Sequence, residues 1–501
     1  MSIRLLFFSL FAGALSNSSV CAETGASLPM KGSRPNVVFF LADDQSRFNH
    51  TAYGHPTIPT ITTDALAEES LVFDRAFTGQ AICAPSRSML YTGLYPIRNG
   101  CFLNHYKIRP GVKTLPAYLN DLGYTVILAG KSHVKPGNQF KWSESFPPVK
   151  KAGASRDWIP LDQIDAFLAH PGPNPFCLIV ASEFPHGPFM TETPYQPEDV
   201  VLEPFEARTD ENLLAATKYY ASVAQKEAEL AALLKLIDKH GQRENSLVFY
   251  SDDHGLSRGK YTSYDSGLNI AFMVRWPDRI KPGRTEALVS FADFVPTVIE
   301  LAGGDAPSNL DGMSLLRLLR GESTKHHTHV YGVTTNQGTL QRHVFPQRSV
   351  RDERYHYIHS FNTLDRIRRD RNAGKEIGFF HQRGANKHGD IPEELLFDTQ
   401  NDPHEMKNLA NAPSYQTIKQ RLEDSLFEWM RQQNDLLNKT DPVPLLKTAP
   451  SFALDRADQR NRIPKQQVGS LKGKLIDPHE ATRQNEKRFP EPKICKAPPS
   501  A

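Results

Sequence analysis

Four uninterrupted apolar stretches constrain the fold of this chain more than any other feature. They read NVVFFLADD (residues 36–44), TVILAGKSH (125–133), FCLIVASEFPH (176–186) and SLVFYSDDHG (246–255). An apolar run without polar alternation is typical of a parallel strand that is buried on both faces. Helical segments such as residues 211–241 separate these runs, so the pattern predicts an α/β fold.

The sequence pattern changes after residue 325. Short alternating runs, RSVRDERYHYIHSFN and ELLFDTQNDPHE, predict an antiparallel sheet. Residues 461–501 hold nine Lys and Arg against four Asp and Glu, a net charge of +5. We therefore expect a large α/β domain over residues 23–325, with a mixed, mostly parallel sheet sandwiched by helices. A smaller α+β domain should follow over 326–440, and then a basic, proline-rich arm over 441–501 that wraps the body or stays loose.

The first 22 residues predict a secretory signal peptide. A basic start at Arg4 precedes an apolar run to Leu15 and small residues up to Ala22. This run is too short to span a membrane and no later segment supplies a span, so we expect an exported protein, periplasmic or secreted, that is not an integral membrane protein. A formal net charge of +3 over 501 residues gives no support to nucleic-acid binding.

Charged and histidine side chains follow all four predicted strands at the point where each strand ends. They are Asp43, Asp44, Lys131, His133, His186, Asp253 and His254, with Lys260 slightly later. The carboxyl ends of parallel strands meet at one edge of a sheet, where ligands bind in α/β proteins. Paired acids repel each other unless a cation neutralises them, and oxygen ligands suit hard divalent ions such as calcium or magnesium. The pattern therefore predicts a metal site at this edge.

Four cysteines follow the signal peptide, too few for a disulfide scaffold: Cys83, Cys101, Cys177 and Cys495. Cys83 opens the stretch CAPSRSMLYTG, in which a proline and an arginine follow closely. With the preceding LADDQ, this stretch resembles the type I sulfatase family of the alkaline-phosphatase superfamily. In that family a maturation enzyme reads the neighbouring Pro and Arg and oxidises the cysteine to formylglycine. The resemblance thus implies that Cys83 is the precursor of a nucleophile and not a disulfide partner.

The resemblance covers roughly residues 35–435 and continues through GKSH, FPHGPF, SDDHG, GKYTSYDSG and FDTQNDPHEMKNLA. It implies that Asp43, Asp44, Asp253 and His254 hold one metal ion together with the modified Cys83. The ion is usually calcium in the family, and magnesium is the less common choice. His254 stands where many members have Asn, so it could instead donate to the sulfate. Asp252 offers an alternative register for the acid pair, which the family pattern of Asp directly before His or Asn and Gly disfavours.

The resemblance also implies a mechanism. The metal, Arg87, Lys131 and Lys260 would neutralise the sulfate oxygens. One hydroxyl of hydrated formylglycine would attack sulfur while His186 protonates the leaving alcohol. The second hydroxyl, deprotonated by His133, would then expel sulfate, a step that serine or cysteine could not perform.

The resemblance favours an exported sulfatase acting on a sulfated carbohydrate, either a polysaccharide or a glycosaminoglycan fragment. RSVRDERYHYIHSFN and the spacing around SRGKYTSY look most similar to the heparan N-sulfatase (sulfamidase) branch, so N-sulfoglucosamine cleavage is a close alternative. Two further readings are a phosphonate or phosphodiester hydrolase with the same site, and a carbohydrate-binding paralogue with unmodified Cys83. Asn104, His105 and Arg348 are candidate substrate contacts, and each has a packing or surface role as its alternative. The sugar, the sulfate position, exo or endo action and the oligomeric state stay open.

Overall fold

The four predicted strands lie side by side in the central sheet. The structure is a computed structural model that describes residues 31–256, 259–336, 344–374, 391–435 and 437, together with two short strands further along the chain. The strands up to residue 290 are β1 (Asn36–Asp43), β2 (Leu71–Phe73), β3 (Ala76–Phe77), β4 (Thr125–Gly130), β5 (Glu144–Phe146), β6 (Phe176–Pro185), β7 (Ser246–Asp252), β8 (Asn269–Ile270), β9 (Phe272–Arg275), β10 (Gly283–Thr285) and β11 (Val289–Ser290). Eight of them form the central sheet in the order β10-β2-β9-β7-β1-β6-β4-β5. The strands from β7 to β5 are parallel, and β9 runs antiparallel to β7. The predicted mixed, mostly parallel sheet is confirmed.

The central strands are apolar throughout because both faces of the sheet are covered. Val37, Phe39 and Leu41 of β1 pack into one hydrophobic cluster. Val38, Phe40 and Ala42, which point the other way, belong to a second cluster on the opposite face. All eight residues of β1 are buried, which explains why its sequence shows no alternation.

Helices cover both faces of this sheet. Those up to residue 319 are α1 (Ile61–Glu68), α2 (Cys83–Thr92), α3 (Pro96–Asn99), α4 (Leu115–Asp121), α5 (Leu161–Ala169), α6 (Asp210–Lys239), α7 (Asp265–Leu268), α8 (Phe294–Leu301) and α9 (Leu316–Leu319). Helices α2 and α8 pack on the β1 face that carries Phe39. Helices α5 and α6 pack on the face that carries Phe40. The remaining strands β11, β3 and β8 form a separate three-stranded sheet.

The C-terminal region contains the predicted antiparallel sheet. Its elements are β12 (Val330–Asn336), β13 (Val344–Arg351), β14 (Tyr355–Ser360), α10 (Leu364–Asn372), β15 (Glu394–Asp398), α11 (Gln416–Gln432), β16 (Leu445–Leu446) and β17 (Leu475–Ile476). Strands β12 to β15 pair antiparallel in sequence order. Apolar side chains of this sheet and of α11, among them Val350 and Leu426, belong to the same cluster as Phe39. The core is therefore continuous across the predicted boundary at residue 325, and the boundary itself stays a prediction.

The two ends of the chain carry predictions that the described residues do not reach. The signal peptide over 1–22 lies outside them, as does Cys495. Most of the arm over 441–501 lies outside as well, except that β16 and β17 pair in parallel. Along the described parts of the chain, no helix combines the length and hydrophobicity that crossing a membrane requires.

Candidate active site

The ends of two neighbouring strands bring the predicted acids together. Asp43 ends β1, and Asp253 follows β7, the strand beside it. The Asp253 amide donates to the Ala42 carbonyl at 2.9 Å, and the Asp44 amide donates to Asp253 Oδ1 at 3.1 Å. Asp44 adopts a left-handed backbone (φ 66°), a conformation that costs energy in a residue other than glycine and is held by these contacts. Asp43, Asp44 and Asp253 are all buried.

Cys83 opens helix α2, which points its N-terminus at the acids. The helix continues through Pro85, which is tolerated in a first turn, and ends at Gly93, whose left-handed backbone (φ 67°) forms the C-cap. All ten residues of α2 are buried, and Cys83 itself is 2% exposed. A helix N-terminus stabilises negative charge, so this position favours an anionic or nucleophilic group at residue 83.

Acidic and basic groups surround the Cys83 thiol. Its Sγ lies 3.4 Å from Asp43 Oδ1, 3.3 Å from His254 Nε2 and 3.8 Å from Lys131 Nζ. Burial by itself would raise the pKa of this thiol, but Lys131 and His254 lower it well below its ordinary value, with help from His133 and His186. Cys83 is a free thiol, like the other described cysteines, Cys101 and Cys177.

Arg87 lies one helical turn after Cys83 and reaches the same cluster. Its Nε donates to Asp253 Oδ2 at 2.9 Å, and its Nη2 lies 3.7 Å from Asp43 Oδ1. Nη2 is buried and makes no hydrogen bond, so this nitrogen of the guanidinium remains unused beside Asp43. The spacing of Cys and Arg in the CAPSR motif therefore places both side chains on the same side of α2, next to the acids.

Two lysines reach the acids from the side of the cluster that faces solvent. Lys131 Nζ contacts Asp43, and Lys260 Nζ donates to both oxygens of Asp44, at 2.9 and 2.6 Å. Gly130 makes the turn that places Lys131, because its backbone is left-handed (φ 98°) and a Cβ there would lie 2.2 Å from the Ala181 carbonyl oxygen. The nearby carboxylates raise the pKa of both lysines although burial opposes this, so both stay charged.

The acids differ in their protonation behaviour. Burial, and then the charge of Asp43, raise the pKa of Asp253 to about 7. Burial would also raise the pKa of Asp43, but Lys131 and Arg87 hold it below its ordinary value. Like charges brought this close need compensation by cations, so the cluster suits a divalent ion.

His254 lies among these acids. Its Nε2 is 3.2 Å from Asp44 Oδ1 and 3.7 Å from Asp253 Oδ1, and its Nδ1 lies 2.8 Å from the Gly255 carbonyl. Burial lowers the pKa of a histidine, but Asp253 and Cys83 raise that of His254 to about 10. The oxygen, sulfur and nitrogen donor atoms of Asp43, Cys83, Asp253 and His254 all lie within 4.8 Å of one another, close enough to hold a metal ion. A second such group combines Asp43, Asp44 and Cys83 with His186.

His186 has different partners on its two ring nitrogens. Nε2 faces the cluster, 3.5 Å from Asp44 Oδ2. Nδ1 lies 2.6 Å from Arg156 Nη2 and also contacts the Gly187 carbonyl. Burial by itself lowers the pKa of His186, but Cys83 and Asp43 raise it above its ordinary value. The sequence analysis missed Arg156 because it lies in a loop, KKAGASRDWIP, with no recognisable pattern.

His133, His105 and Asn104 form a chain of side chains beside Cys83. His133 Nε2 lies 2.8 Å from His105 Nδ1, and His105 Nε2 lies 3.2 Å from Asn104 Nδ2. The Ala84 amide points at Asn104 Oδ1 at 3.4 Å, which ties the chain to the start of α2. His133 Nδ1 is buried without a hydrogen bond. Burial and the charge of His133 lower the pKa of His105 to about 4, so His105 is neutral at physiological pH.

Two residues considered in the sequence analysis lie outside the cluster. Arg348 is completely buried, its guanidinium paired with Asp435 and donating to the Thr334 carbonyl at 2.6 Å. It has no exposed surface to offer a sugar, so we do not retain it as a substrate contact. Asp252 turns to the other side of β7, where it accepts from the Tyr250 hydroxyl at 3.1 Å and lies 3.4 Å from His50. The alternative register through Asp252 therefore has no geometric support.

The cluster is layered from its base to its opening. The side chains of Asp43, Arg87, Asp253 and His254 are 0% exposed, whereas those of Lys131, Lys260 and His186 are 16%, 13% and 28% exposed. An entering anion would therefore meet two lysines and a histidine above a group at residue 83. Such an arrangement can bind a sulfate or phosphate group and deliver a proton to its leaving oxygen.

Comparison with known proteins agrees with this geometry. Residues 35–304 match the sulfatase family, and residues 253–369 match the C-terminal region of N-sulphoglucosamine sulphohydrolase. An ulvan-active sulfatase of Formosa agariphila is 41% identical over 87% of this chain and 89% of its own. Human N-sulphoglucosamine sulphohydrolase is 26% identical over 80% of this chain and 91% of its own. A solved 2-O GAG sulfatase shares the fold, with a TM-score of 0.64 and 21% identity over 83% of this chain and 96% of that chain. The chain therefore belongs to the sulfatase family of sulfuric ester hydrolases.

Proposed function

We propose that the protein is an exported, formylglycine-dependent sulfatase that removes sulfate from a sulfated carbohydrate with the help of one divalent metal ion. The observation that carries the proposal is the position of Cys83 at the start of α2, with Asp43, His254 and Lys131 around its Sγ. A maturation enzyme that recognises the CAPSR sequence would be its partner. The apolar N-terminal segment supports export to the periplasm or the medium.

The metal would be held by Asp43, Asp44, Asp253 and His254 together with residue 83. The set fits a divalent ion because three buried carboxylates converge and the pKa of Asp253 is raised by burial and by Asp43. Carboxylates favour calcium or magnesium, and calcium accepts a larger and more varied ligand set, so we favour calcium. When bound, the ion supplies positive charge that polarises the sulfate group and lowers the pKa of a nearby hydroxyl.

Formylglycine at residue 83 would supply two hydroxyls on one carbon. The unused Nη2 donor of Arg87 and the buried Nδ1 of His133 are available to such hydroxyls, which supports the assignment. Lys131 and Lys260 would bind the sulfate oxygens, since both stay charged and partly exposed. His186 would give a proton from Nε2 to the leaving oxygen, and His133 would accept a proton from residue 83. His105, held between His133 and Asn104, would orient the His133 ring.

The substrate we favour is a sulfated polysaccharide of the ulvan type, because the relative that shares 41% identity is named as active on ulvan. The second candidate is the N-sulfo group of glucosamine. It is favoured by the match of residues 253–369 to the C-terminal region of N-sulphoglucosamine sulphohydrolase. In both cases the same residues would bind the sulfur centre, and only the leaving atom would differ.

The test compares protein produced with and without a formylglycine-generating enzyme. Mass spectrometry of the Cys83 peptide should show loss of the thiol mass. Sulfate release should then be measured from ulvan oligosaccharides and from N-sulfoglucosamine. Cys83→Ala should abolish release, while Cys101→Ala, another buried cysteine, should retain it. Full activity with an unmodified cysteine would contradict the formylglycine assignment, and carbohydrate binding without any sulfate release would favour a binding paralogue.

A further inference from the structure

A second cluster of metal-ligating side chains links the start of α8 to the connection between α9 and β12. It consists of Asp293, His326 and His327, and it shares no residue with the site around Cys83. His326 and His327 belong to the connection between α9 and β12, whereas Asp293 directly precedes α8. The donor atoms of all three side chains lie within 4.8 Å of one another.

Backbone hydrogen bonds within the protein already orient the Asp293 carboxylate. Its side chain is 0% exposed. Oδ2 accepts from the Ser290 amide at 2.8 Å, and Oδ1 accepts from the Met313 amide, also at 2.8 Å. The carboxylate is therefore oriented by two backbone donors from different segments, as metal-binding carboxylates commonly are.

Two consecutive histidines converge on this carboxylate. His327 Nε2 lies 2.8 Å from Oδ1 and 3.0 Å from Oδ2, and His326 Nε2 lies 3.3 Å from Oδ2. Both histidines lie outside any helix or strand, where consecutive side chains can turn to the same carboxylate. The two rings are 4.6 Å apart at an angle of 75°.

His327 Nε2 makes a hydrogen bond to the Asp293 carboxylate, but His326 Nε2 does not. The side chain of His326 is 7% exposed, and its Nε2 is buried without a hydrogen-bond partner. A buried polar atom left in this way costs free energy unless another group satisfies it. His326 Nε2 lies 3.3 Å from Asp293 Oδ2, close to the roughly 3.3 Å expected between two ligand atoms of a tetrahedral zinc ion. His327 Nε2 lies nearer to the carboxylate, at 2.8 and 3.0 Å, so it would have to move away by a few tenths of an ångström to reach this spacing.

We propose that Asp293, His326 and His327 form a site for a borderline transition-metal ion of the Zn²⁺ class, with one position left for water. Two imidazoles and one carboxylate are ligands that zinc accepts, whereas the carboxylate-rich cluster around Cys83 suits calcium. An ion bound here would fasten the connection between α9 and β12 to the catalytic domain. Its contribution is to stability and not to chemistry at residue 83.

Zinc content is the direct test. Wild-type protein is stripped with chelator, dialysed against Zn²⁺ in the presence of excess Ca²⁺, and analysed for bound zinc and for melting temperature. Cys83→Ala is analysed in parallel, because a free thiol could itself bind zinc. Both proteins should hold about one zinc per chain and melt at a higher temperature with zinc than without it. Absence of bound zinc in both would overturn the proposal.

Variants locate the ion. His326→Ala should weaken zinc affinity by more than the roughly 10- to 100-fold that loss of an outer-shell partner costs. His329→Ala is the matched control, since His329 lies in the same segment near Tyr331 and outside the cluster. Asp253→Asn should leave zinc binding unchanged. Equal affinity in His326→Ala and His329→Ala, or loss of zinc in Asp253→Asn, would contradict the assignment. If His326→Ala does not fold, the visible absorption of Co²⁺-loaded Cys83→Ala, measured in excess Ca²⁺, decides between a site with nitrogen ligands and none.

Discussion

The contacts of His186 determine which of its nitrogens can transfer a proton. In the protonated ring, Nδ1–H can donate to the Gly187 carbonyl while Nε2–H faces the cluster. After Nε2 has given up its proton, the neutral ring carries its proton on Nδ1 and can keep the same carbonyl as its partner. Both charge states thus have a partner, as a group that cycles between acid and base requires.

Replacement of His186 should therefore affect substrates according to their leaving group. For His186→Ala we expect sulfate release from a sugar sulfate to fall by about 100- to 10,000-fold, because an alkoxide leaves poorly without a proton. Release from 4-nitrophenyl sulfate should fall much less, because its phenolate needs little protonation. Initial rates on both substrates give the comparison. His170→Ala, an exposed histidine, serves as control. Equal losses on the two substrates would show that His186 is not the acid.

The sequence predicted which side chains meet, because their positions follow from strand ends. Asp43, Lys131, His186 and Asp253 come together as the apolar runs indicated, although their assigned roles stay predictions. The burial of Arg348 was not predictable, since its partner Asp435 comes from a distant part of the chain. Nor did the sequence reveal Arg156 beside His186, because a loop places it.

Helix α6 illustrates how a packed face can contain a charge that periodicity does not predict. Leu230, Leu233 and Ile237 recur at helical spacing and pack under the sheet, as the sequence indicates. Glu229 lies on the same buried side, where it accepts from the Ser182 hydroxyl and from the Ile159 amide at 2.8 Å. Burial raises the pKa of Glu229 to about 7.

Glu229 should make stability depend on pH. The pKa of about 7 in the folded protein exceeds the ordinary 4.5, so the folded state binds more protons between these values. The free energy of unfolding should therefore fall as pH rises through this window, by about 3 kcal/mol from this group. Glu229→Gln should remove that loss, since the amide oxygen can accept from the Ile159 amide and the amide nitrogen can donate to the Ser182 hydroxyl oxygen. Denaturant unfolding at pH 5 and pH 8 tests this against the exposed Glu211→Gln. Parallel pH dependence in wild type and Glu229→Gln would contradict it.

The short strands on one side of the central sheet could not be predicted from the sequence, for a physical reason. Strands β2, β9 and β10 contain three or four residues each, too few for a periodic pattern to emerge. The sequence also contains no pattern that predicts the order of the strands in the sheet, because that order depends on which face of the sheet each connecting helix covers. The long central strands were predictable because burial on both faces leaves a continuous apolar run.

Buried charged groups, in addition to the continuous hydrophobic core, connect the central sheet region to the antiparallel sheet. Asp265 of α7 contacts Arg351 of β13, and its amide donates to Glu405 Oε2 at 2.7 Å. Glu405 also contacts His356 of β14. These buried groups join the central domain to the antiparallel sheet within a few residues of Lys260.

Removal of one member of this network should destabilise the protein. For Glu405→Ala we expect a loss of about 3 to 5 kcal/mol in the free energy of unfolding, because the Asp265 amide and His356 lose a buried partner. Glu405→Gln should lose much less, since it retains an acceptor. Chemical denaturation measures both, with the exposed Asp365→Asn as control. A change below about 0.5 kcal/mol in Glu405→Ala would show that the network is dispensable.

The position of β1 between β6 and β7 has a consequence for the timing of synthesis. The sheet lacks β7 until residue 252 has been made, 169 residues after Cys83. At about 5 to 20 residues per second, that interval lasts roughly 10 to 30 s. During it the CAPSR segment belongs to an unfinished chain and stays open to the proposed maturation enzyme. Once β7 pairs with β1, residue 83 becomes buried beside Asp43 and His254. A ribosome that pauses before residue 246 should therefore prolong the opportunity for oxidation, and fast completion should shorten it.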